Sequence, residues 1–309
     1  MPKTIKRVGG LFPWYAGYFL VLAVFILLSV LGINRVLPND DLTELIPAKI
    51  LYLKGFPQMF PGETGRPFYY HPPLYLEIVA GLYKVFGFQE WLGRLLGIIC
   101  GLVSIFLVFL IARSFSYGQP KERLRLAILV SALYALAPGT IQGVAVMQMD
   151  NTILVPAVLF LFFISIKYFQ EKQLRWLYSV VPAVALALWM RISTPAIVIF
   201  MLVAYSFIGN NLPKTKALFN SAVICGVLLF LFSWYFYCRV RGTHFSGPFL
   251  YTFYTVRTAW QRLIFLRIFL NIFYFSIWPF GFSPIVVRGE KIILPARWHY
   301  EALIHHDFF

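Results

Sequence analysis

The fold is decided by residues 13–34, which read PWYAGYFLVLAVFILLSVLGIN and contain no charged side chain. A helix crosses the hydrocarbon core of a bilayer with about 20 apolar residues, so this run predicts one membrane-spanning helix. Lys3, Lys6 and Arg7 precede the run, and no small-residue cleavage pattern follows it. We therefore interpret the run as a signal anchor that stays in place, not as a cleaved signal peptide.

The composition of the whole chain agrees with a lipid environment. Of its 309 residues, 60% are hydrophobic and 19% are aromatic, whereas only 13% are charged. A soluble domain of this length could not hide so much apolar surface from water. The formal net charge of +15 is distributed between apolar runs, which favours membrane lipids as anionic partners. We expect no nucleic-acid partner.

Further apolar runs predict about eight transmembrane helices within one domain, residues 1–309. The runs that qualify as single spans lie at 92–112, 217–238 and 264–285. Two stretches, 126–167 and 176–209, are too long for one helix, and each carries a polar break. Short basic loops belong on the cytoplasmic side, so each of these stretches must go out and come back. The sequence predicts an all-α polytopic membrane protein with the long loop 35–91 outside the cytoplasm.

The loop 35–91 carries residues suited to chemistry. It begins with the acidic pair Asp40-Asp41 and later contains the aromatic, proline-rich segment YHPPLY at 70–75. Residues 73–86 predict an interfacial helix, because they have an apolar stripe but are too short and too charged to span. A carboxylate at the water boundary can serve as a general base.

The succession of these motifs resembles the multi-spanning GT-C-type glycosyltransferases, nearest to the protein O-mannosyltransferases and the lipid A aminoarabinose transferases. The matching pieces are Asp40-Asp41, residues 70–75, Arg94-Leu95-Leu96-Gly97, Met147-Gln148-Met149-Asp150 and residues 189–195. The resemblance implies a GT-C-like fold and sugar transfer from a polyprenyl-phosphate-linked donor to an extracytoplasmic protein, lipid or glycan. It further implies a multi-pass protein of the plasma (inner) membrane whose active site is extracytoplasmic.

The resemblance also implies residue roles, by position. Asp40 matches the catalytic base, Asp41 its acidic partner, and Asp150 a second acid at the outer face. The residues that the resemblance assigns to the lipid phosphate are His71, Arg191, Tyr70 and Arg94. A divalent cation held by Asp40 and Asp150 stays an open alternative, and no other cofactor is indicated.

The chain departs from the pattern of these families in its cations and in its length. Thr43 and Gln148 stand where the aminoarabinose transferases often carry Arg, so fewer fixed cations are available for a phosphate. Full members of the group have more spans and a further soluble domain, so we expect this chain to be either a natural short form or truncated at the C-terminus. Two other functions stay open: a transporter or flippase of a lipid-linked substrate, and an inactive fragment. The sugar and the acceptor are not identified by the sequence.

Overall fold

The computed structural model describes residues 12–32, 39–55, 71–115, 119–145, 149, 152–208 and 212–253. All of these residues belong to one compact unit, Met1–Thr258. Every regular element among them is an α-helix, which confirms the predicted all-α class. The single domain predicted for residues 1–309 stays a prediction.

Within the described ranges, ten helices follow one another along the chain. Their bounds are α1 Phe12–Gly32, α2 Asn39–Lys54, α3 Leu74–Phe86, α4 Trp91–Phe115, α5 Pro120–Leu136, α6 Pro138–Ala145, α7 Leu154–Glu171, α8 Leu174–Met190, α9 Ser193–Ile208 and α10 Pro213–Arg241. A further helical segment begins at residue 247 and is described as far as residue 253.

Four of the described helices, α1, α4, α7 and α10, are long and apolar enough to cross a membrane. α5 and α6 qualify as one bent span, with a bend of 59° at the break between them. α8 and α9 are shorter apolar helices of 17 and 16 residues. The polytopic membrane class is therefore confirmed. The count of eight spans stays a prediction, because the span predicted at 264–285 lies outside the described residues.

The stretch 126–167 contains one more break than the sequence predicted. The predicted break lies between the end of α6 at Ala145 and the start of α7 at Leu154. The additional break lies at Ala137, whose backbone is extended (φ −61°, ψ 130°) and separates α5 from α6. Proline has no N–H to donate and disfavours the helical conformation of the preceding residue, so Pro138 accounts for this bend.

The two helices of the loop 35–91, α2 and α3, pack on each other and belong to the same apolar core as the spans. One face of α3 is fully buried through Tyr75, Val79 and Tyr83, whereas Val85 and Phe86 are exposed. The sequence predicted a different stripe, made of Leu74, Ile78, Val79, Leu82, Val85 and Phe86, and this was wrong except for Val79. The inward face is set by the packing of Tyr75 and Tyr83 into the core, which apolarity alone did not indicate. Since α3 also contacts α4 and α8, the loop helices are held directly against the bundle.

Two glycines allow helices of the bundle to approach closely. A Cβ added at Gly226 of α10 would lie 2.7 Å from the Val181 carbonyl oxygen of α8. A Cβ at Gly97 of α4 would collide with the Val144 carbonyl oxygen of α6, and it would lie 3.2 Å from Thr152. Gly97 closes the Arg94-Leu95-Leu96-Gly97 motif, so the structural reason for that glycine is the approach of α4 to α6 and to the turn before α7.

Candidate functional site

Three polar side chains interact with Arg191, a fourth interacts with one of those three, and we term the five residues together the arginine recess. Its members are Glu44 of α2, His71 before α3, Tyr75 of α3, Arg191 between α8 and α9, and Tyr251 after α10. The charge of Arg191 acts on both Glu44 and His71. Tyr251 interacts electrostatically with Arg191, and Glu44 does so with Tyr75.

The backbone of Arg191 is fixed at the break between α8 and α9. Arg191 leaves the helix in an extended conformation (φ −159°, ψ 149°), and its N–H still donates to the Ala187 carbonyl at 3.2 Å. The Arg191 Nε donates to the Ser193 hydroxyl at 2.9 Å, which orients the guanidinium. The Trp189 Nε1 donates to Ser233 of α10 at 2.7 Å. The end of α8 is thus held to its neighbour immediately before the arginine.

Glu44 is surrounded by protein but keeps part of its surface accessible. Burial raises the pKa of Glu44 from 4.5 to about 7, and the charge of Arg191 opposes this rise. Desolvation disfavours the charged form of a carboxyl, so it prevails here over the attraction to the arginine. As a result, Glu44 changes its charge near neutral pH, which an ordinary surface glutamate does not.

His71 interacts with the same arginine. Burial, and then the charge of Arg191, lower the pKa of His71 from 6.5 to about 3. The imidazole is therefore neutral at physiological pH, since both causes disfavour the imidazolium. Its ring packs edge-on against Tyr251, with the ring centroids 5.0 Å apart.

The recess contains polar atoms that are buried without a hydrogen-bond partner. Within the described part of the chain there are four such side-chain atoms, and two of them are His71 Nδ1 and the Tyr75 hydroxyl. Thr152 lies beside the Tyr75 hydroxyl but does not complete a hydrogen bond of ordinary geometry with it. Burial, together with the negative charge of Glu44, raises the pKa of Tyr75 well above 10, so the hydroxyl stays protonated. An unpaired buried polar atom costs about 1–3 kcal/mol, and a polar ligand can remove that cost.

A family model described as dolichyl-phosphate-mannose-protein mannosyltransferase matches residues 70–236. The match covers more than half of the chain and includes His71, Tyr75 and Arg191 of the recess. The chain belongs to this family. The resemblance to GT-C-type glycosyltransferases that the sequence indicated is thereby confirmed. No curated protein and no solved structure matches the chain.

The structure of this mannosyltransferase-family protein brings together two residues that the sequence assigned to the phosphate, His71 and Arg191. Arg94 lies in the first turn of α4 and is only 5% exposed. Tyr70 and Asp150 lie outside the described residues.

The acidic pair of the predicted active site lies at the start of α2. Asp40 and Asp41 occupy the first turn of that helix, and Glu44 follows one turn later. The side chains of both aspartates lie outside the described part of the chain. Their roles therefore stay predictions.

Three members of the recess, Glu44, Tyr75 and Tyr251, had no role predicted from the sequence. A signal for Glu44 was present, because Ala48 and Leu51 follow it at the +4 and +7 positions that share one face of a helix. Both residues are buried, so Glu44 lies on the inward face of α2. Tyr251 has no comparable local signal.

The described residues offer no cluster of metal ligands. Within the described ranges, no group of three or more His, Cys, Asp or Glu residues could hold a metal ion. Asp150 lies outside those ranges. A cation bridging Asp40 and Asp150 therefore stays the open alternative that the sequence left.

A second polar cluster of the mannosyltransferase-family protein, termed here the Glu77 clamp, connects the loop helices to α10. The Tyr237 hydroxyl donates to Glu77 Oε1 at 2.9 Å, and Arg241 Nη2 lies 3.0 Å from the same oxygen. Arg241 Nη1 donates to the Gly55 carbonyl, just after α2, at 3.0 Å. The clamp therefore ties α2 and α3 to the end of α10.

Proposed function

We propose that the protein transfers a sugar from a polyprenyl-phosphate carrier to a hydroxyl group of an extracytoplasmic acceptor, and that the arginine recess holds the phosphate. Family membership supports the coarser statement, a polyprenyl-phosphate-sugar-dependent glycosyltransferase in general. One observation carries the finer proposal: Arg191 interacts with Glu44 and His71 at a helix break, next to the helix whose first turn contains Asp40 and Asp41.

The chemistry of the recess suits a phosphodiester. The Arg191 guanidinium is permanently charged and can form two parallel hydrogen bonds to phosphate oxygens. The Tyr75 hydroxyl is buried and protonated, so it can donate a further hydrogen bond. The neutral His71 can do the same in the tautomer that carries its proton on Nδ1. These groups would stabilise the negative charge that grows on the phosphate as it departs.

Asp40 is the proposed general base. The acceptor oxygen attacks the anomeric carbon of the sugar, and the bond between that carbon and the phosphate oxygen breaks. The proton of the acceptor hydroxyl passes to the Asp40 carboxylate, and the polyprenyl phosphate leaves with the bonding electrons. Asp41 and Asp150 are proposed to assist from the same face. Because Asp40 precedes Glu44 by one turn of α2, this assignment brings base and phosphate site close together.

The proposed active site faces the extracytoplasmic side of the inner membrane. Lys172 and Arg175 flank the start of α8, whereas Arg191 follows its other end. Lys214 and Lys216 begin α10. Basic residues concentrate in cytoplasmic loops, so these positions support a cytoplasmic location for the ends of α8 and α10 opposite the recess.

The test of the catalytic proposal is transfer by Asp40→Asn. Membranes containing the full chain are incubated with dolichyl phosphate mannose carrying tritium in the sugar, and label on protein, lipid and glycan fractions is counted. We expect the variant to lose at least 100-fold in transfer rate, because amide nitrogen and oxygen are poor bases. Glu90→Gln, an equally isosteric change at an exposed residue of the same loop, is expected to retain the wild-type rate.

Two outcomes contradict the catalytic proposal. Full transfer by Asp40→Asn excludes that residue as the base. Label that changes leaflet without changing its carrier indicates a transporter of the lipid-linked substrate instead of a transferase.

The orientation is tested with two matched cysteines. Gln89 and Gln173 are both exposed, and the carbonyl of each accepts a hydrogen bond from the residue three positions later, at the start of a helix. In a background with the exposed Cys225 replaced by serine, Gln89→Cys is expected to react with a membrane-impermeant maleimide in intact spheroplasts. Gln173→Cys is expected to react only after permeabilisation. The reverse labelling pattern would place the loop 35–91 in the cytosol and would contradict the proposed function.

A further inference from the structure

A groove with a mostly apolar lining opens between α1 and α5, two helices that contribute no residue to the arginine recess. The lining residues are Trp14, Gly17, Tyr18 and Val21 of α1 and Ile128, Leu129 and Ala132 of α5. The α1 members have the spacing of a single helix face, at positions i, i+3, i+4 and i+7. The groove has a volume of about 310 Å³, which is comparable with the smaller ligand sites of proteins.

Gly17 leaves space in this groove that no described part of the chain fills. A Cβ built at Gly17 would meet no atom of a neighbouring element within 4 Å. A glycine inside a helix costs about 1 kcal/mol relative to alanine. At Gly97 and Gly226 this cost has a structural reason, because a Cβ there would collide with the adjacent helix. The open space at Gly17 instead faces the groove, so a molecule other than the protein can fill it.

Arg125 lies at one end of the groove. It precedes Ile128 and Leu129 by three and four residues, so it shares their face of α5 and lies one turn nearer the start of that helix. Arg125 Cζ lies 5.3 Å from the centroid of the Trp14 ring of α1, and the arginine is exposed. A guanidinium can stack on an aromatic ring and still bind a phosphate through the N–H groups at its edge.

The first turns of α5 around Arg125 are basic. Lys121 precedes Arg125 by one turn, and both residues are exposed, as are Glu122 and Arg123. The Glu122 carboxylate accepts a hydrogen bond from the Gln119 N–H at 3.2 Å, so this acid caps its own helix. With three bases and one acid, residues 121–125 have a net charge of +2. The end of the groove therefore attracts an anion.

This end of the groove lies on the same side of the bundle as the start of α8. α4 ends at Phe115, and α5 begins at Pro120 after a short connection. The Gln170 side-chain amide, near the end of α7, donates to the Ser114 carbonyl, near the end of α4, at 3.0 Å. α8 follows α7 directly. In the orientation proposed above this is the cytoplasmic side, where the membrane leaflet carries anionic lipids.

We propose that the groove between α1 and α5 binds one phospholipid with an anionic headgroup. Its phosphate contacts Arg125, and one of its acyl chains lies over Gly17. Trp14 lies between the two, and tryptophan is enriched where headgroups meet hydrocarbon. Basic pockets between spanning helices on the cytoplasmic side are known to bind anionic headgroups. The inference goes beyond the proposed function, because binding of this lipid does not require the transfer reaction.

The lipid is expected to stabilise the attachment of α1 to the bundle. Most of α1 is exposed, and its contacts with the other helices include Tyr18, whose ring centroid lies 5.9 Å from that of Phe109 of α4. A molecule that binds the folded protein and not the unfolded chain raises the stability of the folded state. A lipid that contacts both α1 and α5 meets this condition.

The experiment counts the lipids bound to the full chain by native mass spectrometry. The protein in a non-ionic detergent is titrated with dioleoylphosphatidylglycerol or with dioleoylphosphatidylcholine, which has the same acyl chains but no net charge. We expect wild type to hold one phosphatidylglycerol saturably, with a dissociation constant about tenfold lower than for phosphatidylcholine, because each nearby base contributes about 1 kcal/mol. Phosphatidylglycerol should also raise the apparent melting temperature more than phosphatidylcholine does.

Arg125→Gln tests the headgroup contact. It should weaken phosphatidylglycerol binding about fivefold and leave phosphatidylcholine binding unchanged. Arg175→Gln is the matched control, because Arg175 is exposed and its Cζ lies 5.0 Å from the centroid of the Trp176 ring. This second arginine stacks on its neighbour within α8 and pairs with Glu171 at 3.4 Å, so Arg175→Gln should keep the wild-type affinity for phosphatidylglycerol.

Gly17→Leu tests the groove itself. The new side chain fills the space of the acyl chain, so binding of both lipids should weaken about tenfold. The helix should tolerate this change, because leucine is a better helix former than glycine and no neighbouring atom meets the Cβ. Ala132→Leu fills the groove from α5, with the same expected result. Ala23→Leu adds the same side chain at an exposed position of α1 outside the groove and should bind as wild type does.

Several results would overturn the proposal. Equal affinity for the two lipids, or a series of bound lipids without saturation, would indicate only the ordinary lipid shell of a membrane protein. Wild-type binding by Arg125→Gln would exclude the headgroup contact, and wild-type binding by both Gly17→Leu and Ala132→Leu would exclude the groove. A dimer in the same spectra that Gly17→Leu abolishes would show that the groove holds a second copy of the chain instead of a lipid.

Discussion

The arginine recess and the Glu77 clamp each combine an acid from a loop helix with an arginine at the end of another helix, yet their surroundings differ. In the clamp, Glu77 accepts from both Tyr237 and Arg241, and Arg241 also reaches the Gly55 carbonyl. In the recess, the surrounding protein raises the pKa of Glu44 to about 7, and two buried polar atoms have no partner among the described residues.

This difference distinguishes a structural cluster from the proposed binding site. A polar network whose members are hydrogen-bonded rigidifies the fold, whereas incompletely satisfied buried polar groups cost free energy unless something else fills them. The clamp needs no ligand to satisfy its groups. The recess, in contrast, shows perturbed titration and unpaired atoms, which are characteristic of functional sites.

The largest expected effect is a loss of transfer activity, and it should follow from replacing Arg191 but not from replacing Arg241. Arg191→Gln is expected to lower the transfer rate at least 100-fold, which corresponds to about 3 kcal/mol. Its physical cause is the loss of charge-assisted hydrogen bonds to the departing phosphate. The apparent melting temperature in detergent is expected to change little, because desolvation already disfavours the charge of the partly buried Arg191.

Arg241→Gln is the matched control for this prediction. It should lower the apparent melting temperature, because its contacts to Glu77 and Gly55 hold the loop helices to α10. These side chains are partly exposed, so the expected loss of stability is about 1 kcal/mol. The transfer rate per folded molecule should stay within threefold of wild type. If both variants lose activity equally, the two clusters do not differ in the way proposed.

Much of the fold follows from local patterns in the sequence. The run at 13–34 and the two at 92–112 and 217–238 have the length and apolarity of spans, and the structure has α1, α4 and α10 there. The break around Arg191 was also predicted, because an arginine and Pro195 interrupt an apolar stretch. The bend at Pro138 could have been predicted from the same rule but was not.

The partners of the polar residues could not be predicted in this way. Glu77 and Arg241 are 164 residues apart in sequence, and Tyr251 follows Arg191 only after the whole of α9 and α10. No local pattern encodes which helix ends meet. The interaction of Glu44 with Arg191 depends on where the α8–α9 break lies relative to α2. The position of Glu44 in the helical register of α2 predicts that it points inward, but it does not predict which arginine it meets.

The smallest expected effect is on stability. Replacing Glu44 and replacing Glu77 should change the melting temperature at pH 8 in opposite directions. The pKa of Glu44 is raised from 4.5 to about 7, so the folded state holds this proton more tightly than the unfolded chain does. Stability is therefore lost as the pH rises from about 4.5 to 7, and the loss persists above pH 7.

Glu44→Gln mimics the protonated carboxyl and is expected to remove this penalty. At pH 8 its apparent melting temperature should exceed that of wild type by a few degrees, and the difference should vanish near pH 4.5. Leaving Arg191 without this anion does not reverse the sign, because the raised pKa already includes the attraction of Arg191. Glu77→Gln should instead melt below wild type at pH 8, since Tyr237 and Arg241 lose a charged acceptor. A Glu44→Gln protein that melts below wild type at pH 8 would mean that the carboxylate stabilises the recess, and the contrast with the clamp would then be lost.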